Sequence, residues 1–195
     1  VTHKQVILTE RVARVTEFPI SIDYAKFTRA AKLRGVKRAV RLLKRQYKGQ
    51  RIILTVDRLD PTKGLVERLK AYEKFLRRTP QLHGKVVMVM LAVPSRTEID
   101  EYKQLKDKLE RLVRKVNKEF GTAKWQPVNY MYTSLPFEEL AALYQVADVA
   151  FIAPIRDGMN LVAKEYVASR AKQSGVLILS ATAGAAEELT EALIV

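Results

Sequence analysis

The sequence predicts a doubly wound α/β fold with a parallel sheet, and three observations carry that expectation. Short apolar runs alternate with segments of helical periodicity along most of the chain. The runs are continuously apolar rather than alternating, as in strands covered on both faces. Charged residues and glycines gather directly after the runs, beyond the carboxyl ends of the strands, where such sheets bind their ligands. A sheet of five or six strands with helices on both faces is expected.

Val6-Ile-Leu8 and Val12-Ala-Arg-Val15 read as short strands, and Phe18-Pro-Ile-Ser-Ile-Asp23 as a connector. Residues 1–23 are therefore expected to be a connector with the terminal strands of a missing N-terminal domain, and residues 24–195 the main domain. Leu33, Val36, Val40, Leu43 and Tyr47 give one helical apolar stripe, weakened locally by Gly35. Ile52–Val56 is a β-rich run, followed by Leu65, Leu69, Tyr72 and Leu76 at helical spacing. Val86–Leu91 is the next strand. Leu105, Leu109, Leu112, Val116 and Phe120 mark a long amphipathic helix closed by Gly121. Val128–Tyr132 reads as a strand, and Pro136 suits the first turn of a helix with Leu140, Leu143 and Tyr144. Val149–Ala153 is a strand and Leu161–Ser169 a helix. Gly175 precedes the strand Val176–Leu179, and Glu187–Glu191 reads as a short helix. Ile194-Val195 opens a last strand, so the domain is expected to be truncated at its C-terminus.

Composition excludes several function classes. The 195 residues are 48% hydrophobic, enough for a substantial core, so global disorder is not expected. The chain has no cysteine, which rules out disulfides, thiolate metal sites and cysteine nucleophiles. Its two histidines, His3 and His83, lie far apart, so no multi-histidine metal site and no Ser-His-Asp triad is expected. No apolar run approaches membrane-spanning length and the first residues do not resemble a signal peptide; a cytoplasmic protein is expected. The net charge is +14, and Lys26 to Arg51 holds eleven Lys or Arg and no acid. Such a field attracts nucleic acid, acidic membrane or phosphorylated metabolites, or else is a solvated helix face.

The loops carry the chemistry. In Asp57-Arg-Leu-Asp-Pro-Thr-Lys-Gly64, Arg58 and Lys63 can converge above the sheet, and Gly64 allows a close backbone approach. Two cations and a helix N-terminus suit a diphosphate, although a polar turn would use the same residue types. The spacing is not that of a Walker loop. Arg96, in Val93-Pro-Ser-Arg-Thr97, could bind a second anion on the same edge. Asp157 and Gly158 stand where a strand ends and a helix is due, so Asp157 either meets a ligand or caps the helix. Glu165 follows Asp157 by eight residues, near two helical turns, so both carboxylates can face one ligand; otherwise it is a surface carboxylate or a lysine's partner. Lys164 cannot share its face. The small residues of Ala183-Gly-Ala-Ala186 allow tight packing against the sheet or a ligand. Trp125 and His83 are expected to be structural.

Together these segments resemble the trehalose-6-phosphate synthases, retaining glycosyltransferases that join glucose to glucose 6-phosphate. The resemblance runs through Phe18-Pro-Ile, Arg58-Leu-Asp60, Thr62-Lys-Gly-Leu65, Glu67–Glu73, His83-Gly-Lys85, Pro94-Ser-Arg96 and Ala147-Asp148. It continues in Arg156-Asp-Gly-Met-Asn-Leu-Val-Ala-Lys-Glu-Tyr166, Gly175–Ser180 and Ala183–Ala186. The Arg156–Tyr166 and Arg58–Leu65 runs are the specific ones. The family has two Rossmann-like domains across a cleft, the GT-B arrangement, and this chain resembles the second, donor-binding one. Its acceptor-side domain and its closing helices are not in the match.

The resemblance implies roles at matching positions. Arg58 and Lys63 neutralise the donor diphosphate, and Asp157 contacts the transferred glucose. Gly158, Met159, Asn160 and Leu161 present backbone to sugar and phosphate. Glu165 holds the ribose hydroxyls, Leu135 falls near the uracil, and Arg96 reaches the acceptor's phosphate. Ser21, Pro61 and Ala181-Thr182 depart from the family pattern, where glycine, tyrosine and Glu-Phe are usual. The implied substrates are UDP-glucose and a sugar phosphate, with no cofactor, no metal and no protein nucleophile. Attack from the front face would retain the anomeric configuration.

Three rivals stay open at this point. One is a nucleotide-sugar-binding module without turnover, the expected behaviour of this chain alone. The second is nucleic-acid binding through Lys26–Arg51, though no nucleic-acid motif or stacking cluster accompanies the charge. The third is a related enzyme that uses another sugar nucleotide or a pseudo-sugar. A missing N-terminal Rossmann-like domain is the expected partner, a membrane is not, and self-association is left open.

Overall fold

The apolar runs become the strands of one parallel sheet in the computed structural model, which describes residues 4–16, 18–170 and 174–195. The chain opens with β1 (Lys4–Leu8) and β2 (Arg11–Val15), an antiparallel pair that forms a two-stranded sheet of its own. Two helices follow, α1 (Tyr24–Ala30) and α2 (Arg34–Gln46). Asp23 caps α1, accepting from the Lys26 N–H at 3.0 Å.

The domain then alternates. It runs β3 (Arg51–Arg58), α3 (Leu65–Arg78), β4 (Val86–Val93), α4 (Asp100–Phe120), β5 (Val128–Tyr132) and α5 (Phe137–Val146). It continues with β6 (Val149–Ile152), α6 (Leu161–Ser169), β7 (Val176–Leu179) and β8 (Leu193–Ile194). The sheet order is β5-β4-β3-β6-β7-β8 and every pairing in it is parallel. From β3 the chain moves outward to β4 and β5, then returns to place β6 on the other side of β3. That reversal creates a crevice between β3 and β6 at their carboxyl ends, the usual ligand site of such sheets.

Strand β4 is buried on both faces, whereas β6 and β7 bury only alternate residues. On β4, Val87, Val89 and Leu91 join a core with α5 and α6, while Val86, Met88, Met90 and Ala92 join a second core with α3 and α4. Helix α2 packs on α5 through Val36, Ala141 and Ala142, and Ala30 at the end of α1 joins the same cluster. A Cβ on Gly35 would meet only the Glu138 carboxylate, the movable end of an exposed side chain, so packing does not demand a glycine there.

Four expectations are corrected. Strand β3 extends through Asp57 and Arg58, because both keep their register with Ala92 and Val93 of β4. Pro136 is the N-cap of α5 rather than a residue of its first turn. Gly121 ends α4 in an extended conformation; it is needed because a Cβ would overlap the Asn117 carbonyl, not for a left-handed turn. The short helix expected over Glu187–Glu191 is instead a 3-10 turn, Gly184–Glu187, held to the neighbouring loop by Ala185 N–H on the Met159 carbonyl at 2.7 Å.

Candidate functional site

The crevice between β3 and β6 holds a pocket of about 430 Å³. Its wall includes Asp57 and Arg58 from the end of β3, Lys63 from the turn before α3, and Asp157, Met159 and Asn160 from the loop after β6. Leu161, Val162 and Glu165 of α6 and Leu140 and Tyr144 of α5 complete it with Val56 and Val93. Arg58, Lys63, Asp157, Met159, Asn160, Leu161 and Glu165, singled out from sequence, are thereby brought to one place.

Backbone hydrogen bonds assemble the loops. Asp60 accepts from the Thr62 N–H (2.9 Å) and hydroxyl (2.6 Å) and starts the 3-10 turn Pro61–Lys63. Burial pushes the Asp60 carboxyl up, but these bonds and one from the Tyr102 hydroxyl hold it below the usual range. The Thr62 carbonyl accepts from the N–H groups of Ile155 (2.9 Å) and Arg156 (3.1 Å), joining this turn to the loop after β6. Gly64 makes the approach possible: its φ is 64°, and a Cβ on it would lie 2.9 Å from the Ala153 carbonyl. The third loop joins through Asp157 N–H on the Thr182 carbonyl at 3.2 Å. A Cβ on Gly184 would overlap the Gly158 carbonyl, so the small residues at Ala183–Ala186 serve loop-on-loop packing.

Asp157 does not cap α6. Asn160 does, at φ 70°, accepting from the Ala163 N–H at 3.0 Å, so the helix starts three residues beyond Gly158. Asp157 instead forms an ion pair with Lys63 Nζ at 2.6 Å, both side chains being largely buried. Asn160 Nδ2 donates to the same carboxylate at 3.1 Å.

Glu165 is neither a surface carboxylate nor a lysine's partner. The Tyr144 hydroxyl donates to its Oε2 at 2.7 Å. Burial raises the Glu165 carboxyl above its ordinary value, against the lowering effects of that hydrogen bond and of the Lys26 charge. Lys164 points elsewhere, to Glu188 at 2.8 Å and the Ile20 carbonyl at 3.3 Å, tying the connector to the domain.

Three sequence candidates lie outside the pocket wall. Arg96 follows β4 with φ 47° and lays its guanidinium over the Tyr102 ring at 5.7 Å. Leu135 packs against the core, and the leucine that α5 gives to the wall is Leu140. Gly158 gives its carbonyl to the contact with Gly184. Trp125 and His83 are structural: the indole N–H donates to the Val86 carbonyl at 2.8 Å, and His83 stacks on that ring.

Sequence reasoning missed Asp57, Arg68 and Tyr144 as site residues. Arg68 is fully buried and binds Asp57, and burial pushes the Asp57 carboxyl up while Arg68 opposes the shift. A signal for Arg68 existed, since an arginine interrupts the apolar stripe Leu65, Leu69, Tyr72, Leu76. Tyr144 gave no signal apart from its place in a helix.

A larger cavity of about 720 Å³ lies against the other face of the sheet, lined by Tyr72, Phe75, Phe151 and Ile178 among others. Its lining is mainly apolar, with Arg51 and Lys85 at the amino ends of the strands and none of the loop residues beyond their carboxyl ends, so the smaller pocket is the better candidate for chemistry. Among the described residues no group of three or more His, Asp or Glu could hold a metal, and no helix is long and apolar enough to cross a membrane.

The arrangement is shared with known proteins. A Saccharomyces cerevisiae protein, the 56 kDa subunit of a UDP-forming alpha,alpha-trehalose-phosphate synthase, is 46% identical over 185 residues, 95% of this chain and 37% of the yeast protein. A crystal structure of a UDP-forming alpha,alpha-trehalose-phosphate synthase from Burkholderia xenovorans, in complex with glucose-6-phosphate, superimposes with a TM-score of 0.93 at 36% identity, over 99% of this chain and 43% of that one. An E. coli structure named for trehalose-6-phosphate and bound with UDP-2-fluoro glucose gives 0.88 at 35% identity, over 99% of this chain and 44% of that one. This chain thus spans well under half the length of each. Its sequence matches the description of glycosyltransferase family 20 over residues 1–195. The chain belongs to that family.

Proposed function

We propose that residues 24–195 are the donor-binding half of a UDP-forming alpha,alpha-trehalose-phosphate synthase, with residues 1–23 leading from the acceptor-binding half. The pocket takes a nucleoside diphosphate sugar, UDP-glucose by resemblance. Arg58 and Lys63 meet the diphosphate, with the N-terminus of α6 adding partial positive charge. Asp157 contacts the transferred glucose. Glu165, oriented by Tyr144, accepts from the ribose hydroxyls, and Leu140 covers the base. The observation that carries this reading is the convergence of Arg58, Lys63, Asp157 and Glu165 on one crevice at the switch point of the sheet.

The chemistry is electrostatic. As the bond to the anomeric carbon breaks, negative charge grows on the departing diphosphate. Fixed cations in a partly dry crevice stabilise that charge more than they would in water. The sugar-phosphate acceptor attacks from the face the diphosphate leaves. Arg96 is assigned to the acceptor's phosphate by resemblance alone, because it stands outside the pocket wall.

Transfer needs both reactants held together. The chain by itself is therefore expected to bind nucleotide without turnover. Calorimetric titration with UDP, GDP and ADP, beside an assay with UDP-glucose and glucose 6-phosphate, tests the reading. UDP binding without product is the expected result. No preference among the three nucleotides would remove the uracil assignment, and no nucleotide binding at all would remove the site.

A further inference from the structure

Arg68 is the most deeply buried charged side chain among the described residues, at 1% exposure. It stands in the apolar stripe of α3, where periodicity calls for an aliphatic residue. Its guanidinium lies at the switch point of the sheet. Nη1 donates to the Phe151 carbonyl of β6 at 3.0 Å and to the Thr55 hydroxyl of β3. Nη2 donates to the Asp57 carboxylate at the end of β3 and, at 2.6 Å, to the Lys63 carbonyl. One planar group thus grips both strands that flank the crevice and the backbone of the lysine whose ammonium faces Asp157.

A fold that needed only a filled core would not require this. Replacing a buried ion pair by packed apolar side chains is often neutral or stabilising. An apolar residue could not hold the Lys63 carbonyl, and it could not offset Asp57. That carboxylate is part of the pocket wall and would otherwise oppose an incoming anion.

We infer that Arg68 is a positioning residue for diphosphate recognition, fixing the Lys63 backbone and offsetting the Asp57 charge beneath the crevice. It touches no substrate and acts through Lys63. The inference rests on the reading of the pocket as a nucleoside diphosphate site.

Calorimetric titration of the chain with UDP, inorganic pyrophosphate and uridine tests it. The variants are Arg68→Lys, the double variant Arg68→Met with Asp57→Leu, and Lys63→Ala. A lysine keeps the charge but cannot reach all four acceptors. The double variant removes both charges, so no lone carboxylate is left buried. UDP and pyrophosphate should bind about tenfold more weakly to both Arg68 variants, the scale of one charge-assisted hydrogen bond, while uridine binding is unchanged. The inference is overturned if folded Arg68 variants bind UDP and pyrophosphate normally, if uridine weakens by the same factor, or if neither variant folds. Each result would make Arg68 a residue of the fold only. Lys63→Ala separates the two ideas. If it leaves UDP binding intact, the diphosphate reading fails and the Arg68 role falls with it. If it weakens UDP binding while the Arg68 variants do not, the positioning role alone fails.

Discussion

Lys63 Nζ and Asp157 Oδ2 lie 2.6 Å apart, although the chain separates them by 94 residues. The proposed roles give one to the diphosphate and the other to the sugar, so each is the other's competitor for a ligand. Asp157→Asn keeps the shape and the Asn160 contact but releases Lys63. Pyrophosphate should bind more tightly by roughly tenfold or more, since a hydrogen bond between charged groups is worth about 1.5–3 kcal/mol. Glucosyl transfer in the complete enzyme should be lost. Calorimetry with pyrophosphate checks the first half, and unchanged affinity would mean that the pair does not hold Lys63 back.

Arg58→Ala and Lys63→Ala should each weaken UDP binding by about 1.5–3 kcal/mol, the range for hydrogen bonds to charged groups. The loss should shrink as salt is added, because the interaction is with an anion. A salt-independent loss would point to damage in the loop rather than to a missing cation.

Glu165→Gln separates a ribose clamp from a structural carboxylate. It should weaken UDP and uridine but leave pyrophosphate unchanged or improved. It also has a signature in pH. Burial holds the Glu165 carboxyl above the 4.5 of an exposed glutamate, so the native chain binds this proton more tightly than the unfolded chain. Native stability therefore falls as pH rises from about 4.5 through the raised value, and Gln is spared that loss. The variant should melt above the native chain at pH 7, and the gap should close below pH 4.5. Parallel melting curves across this range would show that Glu165 carries no burial cost.

Gly184→Ala drives a methyl group into the Gly158 carbonyl. Relief requires the loops after β6 and β7 to part, at a cost of about 1–3 kcal/mol. Asp157 lies in the first of those loops and is bonded to the second through its own N–H and carbonyl, so UDP affinity should fall together with the melting temperature. A variant that melts lower but binds UDP normally would mean that the loops move without moving Asp157.

Exposed cations on α2 lie on one face without an ion-pair partner among the described residues. Arg41 has Lys37, Arg38, Lys44 and Arg45 three and four residues away, all of the same sign. Arg41→Glu turns four repulsions into attractions and should raise the melting temperature by about 2–4 °C. Salt should erase the gain. An unchanged melting point would mean that solvent already screens the row.

Periodicity alone gave the alternation of strands and helices, the parallel sheet and the ends of β5, α6 and β7. Those features depend on residues a few positions apart, and a short continuously apolar run between turn signals can be read directly. The motif after β6 and the cations after β3 were legible for a related reason, since function at the carboxyl ends of strands demands special residue types there. Tertiary structure alone decided that Asn160 rather than Asp157 caps α6, that Leu140 stands in the pocket wall while Leu135 does not, and that Arg68, Tyr144 and Asp57 support the site. Asp157 leaves the cap to Asn160 because Lys63 reaches it from 94 residues away, and Arg68 and Tyr144 join the site through partners that only the packed sheet brings within hydrogen-bonding distance. Tyr144 and Glu165 meet because α5 and α6 pack on the same face, and Lys63 and Asp157 meet because β6 returns beside β3. Neither proximity is written in local spacing: a chain specifies its elements through neighbours in sequence and its site through neighbours in space.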